Sequence, residues 1–521
     1  MATCKDTNKR SIYKVSKVIV IGAGIGGIAT ANLLAKAGYD VHVYEQGPTA
    51  GGRAGLIELD GFIFDSGPSW YLMPEVFAHY FSLLNENIDD WLSLKRLDPA
   101  YKVFFEAKAP ITITSDLATD SATFEHIEKG AGAALESYVK KSEHMYRMSL
   151  KHFLYTNFET LSDLTHTDIL KNAPSLLRMT TRSIDSYVSS YVSDQRLKQI
   201  LEYPMVFLGT SPFSAPALYS LMSALDFKEG VFYPKGGIYT IIQSLVAMSK
   251  KLSVTYHYNS PVSAIQSSEG KATAVQLEND SIVKADIVVS NADMHYTETK
   301  LLKKQDRSFD ASYWKKKQPG PSALLMYLGV SGKIPEFEHH NLLFVDEWQH
   351  NFDAIYTTKT IPKKASIYIS TPSKTDPAVA PKGCENVFVL VPLPASIDIN
   401  DADLESLSNH YIEQIAVMTG VDLVNRLKTK RLFGPNDFGS AFNSWQNSML
   451  GQSHLLKQSA FFRTPNKSRK LSNLYYVGGN TVPGVGLPMC LIGAELVYKR
   501  IAGNKKGGQV ASIERLVDSH D

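Results

Sequence analysis

The run KVIVIGAGIGGIATANLLAKAGYDVHVYE, from Lys17 to Glu45, constrains this chain more than any other stretch. Lys17 to Ile21 is a continuous apolar run of mainly β-branched residues, the pattern of a strand buried on both faces of a parallel sheet. The chain then turns through Gly22, Gly24 and Gly27 in G-x-G-x-x-G spacing, with Gly26 between them. One glycine makes the tight turn, one lets a pyrophosphate approach the backbone, and one lets the helix pack closely on the strand. Ile25 to Ala37 reads as that helix, stopped by Gly38. A second strand ends at Glu45, eighteen residues after Gly27, where a carboxylate can accept hydrogen bonds from ribose hydroxyls. The glycines alone would be a weak signal; strand, turn, helix, strand and acid in one unit specify a dinucleotide site. A similar string, GAGAAL from Gly130, follows polar FEHIEK instead of an apolar strand, and is expected to open a helix.

Bulk properties set the scale. A chain of 521 residues that is 44% hydrophobic can bury a core large enough for two or three domains. A net charge of +2 with no lysine-arginine block speaks against a nucleic-acid partner. Cys4, Cys384 and Cys490 lie far apart without CxxC spacing, so neither a disulfide framework nor a zinc site is expected, and a reducing cytoplasm suits the chain. The start imitates a signal peptide, but glycines break its apolar stretch, so it reads as a flexible leader and then a strand. No stretch reaches the roughly 18 to 20 apolar residues of a spanning helix, so any membrane contact is expected to be peripheral.

The segment after Glu45 selects the cofactor. EQGPTAGGRAG places Gly51, Gly52 and Arg53 where a loop can pass close to a ligand and a guanidinium can meet phosphate charge. Here the chain resembles the flavin-binding amine oxidase and carotenoid desaturase superfamily, in which this loop lies along FAD. GFIFDSGPSW, Gly61 to Trp70, is similar to the superfamily segment that borders the flavin ring, which implies roles for Gly67, Pro68 and Ser69. Leu252 to Asp293 reads as alternating strands separated by SSEG and END turns and closed by an apolar strand, Ala285 to Ser290. In the superfamily this piece belongs to the FAD domain, with a residue at the position of Val262 on the adenine side. GVFYPKGGIYTIIQSL, from Gly230, resembles the motif that opens it. Near the end, NLYYVGGNTVPGVGLPMCLIGAELVYKR repeats the grammar of the first site: strand Asn473 to Val477, a turn with Gly479 and Asn480, then Gly486 before a helix starting near Leu487 and Pro488. Such a helix N-terminus suits a phosphate or an electron-rich ring edge.

NLLFVDEW, TDPAVAPKGCENVFVLVPLP, QSAFFRTPN and the last motif together resemble bacterial-type, lycopene-forming phytoene desaturase over Lys17 to Ile501. The resemblance implies FAD as the cofactor, a linear C40 or C30 polyisoprenoid hydrocarbon drawn from a membrane as substrate, hydride transfer to the flavin, and oxygen or a quinone as final acceptor. It implies an α/β fold: a discontinuous, glutathione-reductase-like Rossmann domain (1–78, 230–300 and 466–502) with an inserted α+β substrate domain (301–465), a helical membrane-facing part (79–229) and a flexible tail (503–521). Asp168 to Leu201 interleaves Lys171, Arg178, Arg182, Arg196 and Lys198 with apolar residues, which suits a headgroup layer or a solvated helix face. Many relatives carry histidine before the proline of the last motif, whereas this chain has Thr481-Val482-Pro483. Asp65, Lys235 and Glu495 are the titratable candidates for the base that a second, protonic hydrogen requires, each with a structural alternative. His339-His340 reads as a solvent-exposed loop pair, and no metal is assigned. Two other readings share the motifs: a polyene isomerase or saturase, and a non-catalytic prenyl-lipid carrier, against which the complete set of flavin-loop residues argues. The oligomeric state is not legible.

Overall fold

The computed structural model describes residues 16–159 and 167–516; the leader with Cys4, and residues 517–521, lie outside the described residues. Lys17–Ile21 is the centre of a five-stranded parallel sheet in the order Leu474–Tyr476, Ile287–Ser290, Lys17–Ile21, Asp40–Tyr44, Thr255–His257. A parallel sheet has to be covered on both faces, and the central strand shows how. Val18 and Val20 pack under the helices Ile25–Lys36, Tyr239–Lys251 and Leu487–Ile501. Ile19 and Ile21 face a three-stranded antiparallel sheet, Val262–Ser268, Lys271–Leu277 and Ile282–Lys284, through Val262, Ile265 and Val275. Three separated stretches of chain thus build one layered unit. GAGAAL opens the helix Ala131–Ser149 after Gly130 at φ +89°, as its polar lead-in predicted.

The second body is a seven-stranded mixed sheet in the order Leu427–Phe433, Ser322–Ser331, Cys384–Leu393, Ile367–Ser370, His340–Phe344, Tyr101–Phe105, Lys108–Ile113. Ser322–Ser331 alternates with period two. Leu324, Met326 and Leu328 meet the helix Asp401–Thr419, while Leu325 and Tyr327 meet Phe62 and Phe64 of the hairpin Leu56–Leu59/Phe62–Asp65. That hairpin is where the two bodies join.

Three expectations are corrected here. Segment 79–229, read as helical, also supplies the hairpin Tyr101–Ile113, whose first strand pairs parallel with His340–Phe344, so both inserted segments share one sheet. Its residues Tyr101, Val103, Phe104 and Phe105 are all buried, and the adjacent buried pair Phe104-Phe105 breaks the alternation that would mark a half-buried strand. His339 and His340 are not exposed: they retain 4% and 0% of their accessible surface, because Tyr233 packs on the first ring and Trp70 stacks on the second. The tail is packed as far as Leu516: Val510 N–H donates to Glu495 Oε1 at 2.7 Å, and Leu516 N–H donates to the Ala37 carbonyl at 3.0 Å.

Candidate functional site

The site lies at the carboxyl ends of the parallel strands, where the chain leaves the central strand first toward one neighbour and later returns on the other, the position at which open α/β sheets bind ligands. Gly22 turns at φ +94°, and Gly24 caps the helix beginning at Ile25. A Cβ on Gly27 would stand 2.2 Å from the Gly22 carbonyl oxygen, so only glycine fits beneath that turn. A Cβ on Gly24 would stand 2.6 Å from Asn291 Oδ1, and one on Gly26 would stand 3.1 Å from Asn291 Nδ2. Asn291 itself follows the return strand Ile287–Ser290; its N–H donates to the Ile21 carbonyl at 2.8 Å and its Nδ2 to the Val477 carbonyl at 3.1 Å. One amide therefore ties the first and last motifs together. Sequence reading passed over Asn291, although it stands in the VVSNAD string that marked the return strand.

Glu45 ends the second strand with Oε2 accepting from Ala23 N–H at 2.6 Å and Oε1 from Gly47 N–H at 2.8 Å. The Gly51–Gly52–Arg53 loop lies alongside: Gly51 N–H donates to the Ala23 carbonyl at 2.8 Å. Arg53 donates from Nη2 to Ser444 Oγ at 2.5 Å and leaves its buried Nε without a hydrogen-bond partner. Burial lowers the Arg53 pKa and the Asp293 charge opposes that. Asp293, also missed from sequence, accepts from Asn480 Nδ2 at 2.9 Å and caps the short helix Met294–Tyr296. Asn480 Oδ1 in turn accepts from Gln452 N–H at 2.8 Å. Gly486, at φ +124°, precedes the helix Leu487–Ile501, which has Pro488 in its first turn. Arg463 ties this last loop down by donating to four carbonyls, those of Gln452, Gln458, Gly479 and Thr481. It has no acidic partner among these bonds, and burial lowers its pKa to about 10. Val262 is buried against the back of the sheet with Tyr44.

The segment Gly61–Trp70 links this crevice to the insert. Ser66 Oγ accepts from Gly55 N–H at 2.8 Å and donates to the Arg53 carbonyl at 3.1 Å, holding the two loops together. A Cβ on Gly67 would stand 2.9 Å from that same carbonyl. Beyond Pro68, Ser69 Oγ donates to the Gly67 carbonyl at 3.1 Å. Trp70 then stacks on His340, centroids 4.3 Å apart, among Tyr101, Tyr203, Phe207 and Tyr368.

The candidate bases occupy distinct places. Asp65 caps the helix Tyr239–Lys251, accepting from Ile238 N–H at 2.8 Å and Tyr239 N–H at 2.9 Å; burial pushes its pKa up to about 6 against those bonds. Lys235 is exposed in the turn before that helix. Glu495 is buried and pairs with His79 Nε2 at 2.8 Å. No cluster of three or more metal-ligating side chains occurs among the described residues.

The donor set fits FAD. Two helix N-termini open on one crevice, an unpaired buried guanidinium N–H lies between them, and an acid ends the second strand. The chain matches the family model described as flavin containing amine oxidoreductase over residues 25–497. It is 40% identical over 478 residues to carotenoid 3,4-desaturase of Haloarcula japonica, covering 92% of this chain and 96% of that protein. To the zeta-carotene-forming phytoene desaturase of Myxococcus xanthus it is 33% identical over 488 residues, covering 93% of each. Among solved structures, an oxidoreductase from Methanosarcina mazei superimposes with a TM-score of 0.62 at 19% identity, covering 93% of this chain and all of that one, which shows the shared fold. The chain therefore belongs to the carotenoid desaturases of the flavin containing amine oxidoreductase superfamily: it is an FAD-dependent oxidoreductase acting on CH–CH groups.

Proposed function

We propose that the protein desaturates a linear carotenoid precursor, phytoene or its C30 counterpart, extending conjugation toward lycopene. The observation that carries this reading is the direct join between the cofactor crevice and the aromatic insert through Trp70. Such a substrate has no polar handle, so an apolar, aromatic-lined site has to supply its orientation. The ionisable groups near that lining suit a hydrocarbon. Asp226 accepts from Tyr101 and Tyr203 at 2.7 and 2.9 Å, and burial pushes its pKa up to about 7; Glu202 is pushed up to about 8. Carboxyls held this close to neutrality offer no fixed charge to an ammonium, which disfavours amine oxidation.

FAD, when bound, takes up one hydrogen and two electrons as hydride, and the second hydrogen leaves as a proton. Gly22–Gly27, Glu45, Arg53, Asn480 and the turn before Leu487 would hold the cofactor. The chain's remaining task is to align the substrate and exclude water.

Access from a membrane surface completes the reading. On the helix Thr167–Thr181, Leu170 and Leu177 are 57% and 67% exposed and flanked by exposed Lys171 and Arg178. That helix packs on Ala217–Ser220, and Tyr219 hydrogen-bonds Ser459 at 2.5 Å, in a segment that exposes Leu456, Phe461 and Phe462. Apolar tips between basic residues match an interfacial layer. No described helix is long and apolar enough to cross a membrane.

The test is expression in a host that accumulates phytoene, followed by chromatography and absorption of the extracted pigments. Products of longer conjugation and lower hydrogen count are expected. Isomers of unchanged hydrogen count would replace this reading with an isomerase, and unaltered phytoene beside FAD-loaded protein would exclude phytoene as the substrate.

A further inference from the structure

The exposed cations of this protein are unevenly matched by carboxylates. Some stand beside one, as Lys251 does beside Glu86 at 2.9 Å and Lys364 beside Glu106 at 2.7 Å. One surface lacks such neighbours. Ala311 to Gln318 carries Lys315, Lys316 and Lys317, and Leu456 to Lys470 carries five further cations, among them Lys457, Arg469 and Lys470; neither run contains an acid, in a chain whose net charge is only +2. None of these cations forms an ion pair among the described residues.

The two runs are distant in sequence and lie side by side in opposite directions. Ser308 Oγ accepts from Arg469 N–H at 2.9 Å, Tyr313 Oη meets Thr464 Oγ1 at 2.8 Å, and Gln318 N–H donates to Gln458 Oε1 at 2.8 Å. Lys317 Nζ stands 5.0 Å from the Tyr313 ring centre and donates to the Phe462 carbonyl at 3.4 Å. Arg469 lies over the buried Phe309 ring at 4.8 Å. This pairing gathers the cations of both runs into one band, along which Lys315, Lys316, Lys457, Arg469 and Lys470 are exposed. Asp310 adjoins the band and caps the helix Ala311–Lys315, accepting from Tyr313 N–H at 2.8 Å. Phe461 and Phe462, 44% and 61% exposed, stand within the same band.

Like charges held this close repel one another, and an anionic counterpart relieves that repulsion. The two phenyl rings decide which kind. A nucleic acid or an acidic protein face would neutralise the lysines but offers no apolar layer for the rings, whereas an anionic bilayer supplies phosphates at its surface and acyl chains just beneath. The band is also continuous with the apolar tips of the helix Thr167–Thr181: Ser459, in the second run, bonds Tyr219 at 2.5 Å, in the turn on which that helix packs. We propose that the band binds anionic lipid headgroups, so that the protein docks selectively on negatively charged membrane. This deepens the membrane reading above and rests on it.

The test is co-sedimentation of the full-length, FAD-loaded protein with vesicles of phosphatidylcholine alone and of phosphatidylcholine with about one third phosphatidylglycerol, at about 0.05 and 0.5 M salt. A basic residue near an anionic surface is worth about fivefold in binding, and salt screens it. Wild type is therefore expected to bind the anionic vesicles at least about tenfold more tightly at low salt and to lose that preference at high salt. Lys315→Gln with Lys316→Gln, and separately Arg469→Gln with Lys470→Gln, should each weaken binding to anionic vesicles about tenfold and leave binding to neutral vesicles unchanged. Phe461→Ser with Phe462→Ser should weaken both. Equal binding to the two kinds of vesicle, or glutamine variants that bind as the wild type does, overturns the headgroup assignment and leaves the membrane reading standing. Wild type that binds neither vesicle overturns the membrane reading itself. A double-stranded DNA fragment that binds as tightly as anionic vesicles, and does so in the phenylalanine variant too, makes the band a general polyanion site and also overturns the lipid assignment. Flavin absorption reports whether each variant is folded, and where one is not, the salt dependence of the wild type decides.

Discussion

In the cofactor crevice the carboxylates are fed by backbone N–H groups: Glu45 by Ala23 and Gly47, Asp65 by Ile238 and Tyr239, Asp293 by His295 and Tyr296. Two beside the aromatic lining of the insert are not. Asp226 and Glu202 rely on tyrosine and tryptophan side chains, and each leaves one buried oxygen without a hydrogen bond. The first region is arranged for negative charge, with two helix N-termini and the unpaired Nε–H of Arg53 in one crevice, which suits a phosphate-bearing ligand. The second suppresses charge, which suits a ligand that has none. The protein thus keeps a polar and an apolar recognition problem apart and lets them meet at Trp70.

The sharpest way to break that division is at Gly27. Gly27→Ala forces a methyl group against the Gly22 carbonyl, and overpacking costs about 1 to 3 kcal/mol. FAD affinity should fall by about a hundredfold, giving a colourless protein in flavin titrations, with the insert still folded. Trp70→Ala approaches from the other side. It removes the stack on His340, worth about 0.5 to 1.5 kcal/mol. The variant should keep its flavin spectrum while kcat/KM for the hydrocarbon drops about tenfold.

The membrane reading is sharpened by Leu170→Glu with Leu177→Glu, which removes about 1.5 kcal/mol or more of burial per side chain at an interface. Liposome co-sedimentation should fall about tenfold, and turnover of detergent-solubilised substrate should not change. The effect furthest from turnover concerns Asp226. Its folded pKa of about 7 lies above the usual 3.8, so the neutral carboxyl stabilises the fold fully below pH 4, and that stability drains away as pH rises through 7. Asp226→Asn keeps an acceptor for Tyr101 and Tyr203 but cannot ionise. Its urea midpoint should vary less between pH 4 and 7 than that of the wild type, by about 1.4 kcal/mol for each pKa unit removed. A residual slope toward pH 8 is expected from Glu202.

The first motif was legible because its glycines act over a few residues. Gly27 is required by Gly22, five positions away, and local steric demands leave a mark in sequence. Arg53 was found through its position in a motif, while the residues that surround it were missed. Asn291, Asp293, Ser444 and Arg463 reach it or the last loop across long stretches of chain, and carry no spacing rule. The hairpin Tyr101–Ile113 was lost because its first strand buries the adjacent Phe104 and Phe105 and shows no clean alternation, and the polar tail was misread because its anchors, Glu495 and the Ala37 carbonyl, belong to distant helices.

By itself, then, the sequence determined the parallel sheet, the glycine turns and the acid at Glu45, since each follows from local geometry over a short span, while the cofactor class was implied by the resemblance of its motifs to a family. Only the tertiary structure decided which imidazoles are buried, which carboxyls stay near neutral, and that Lys317 lies beside Phe462. Burial and electrostatic environment are sums over neighbours from every part of the chain, and no local pattern records them.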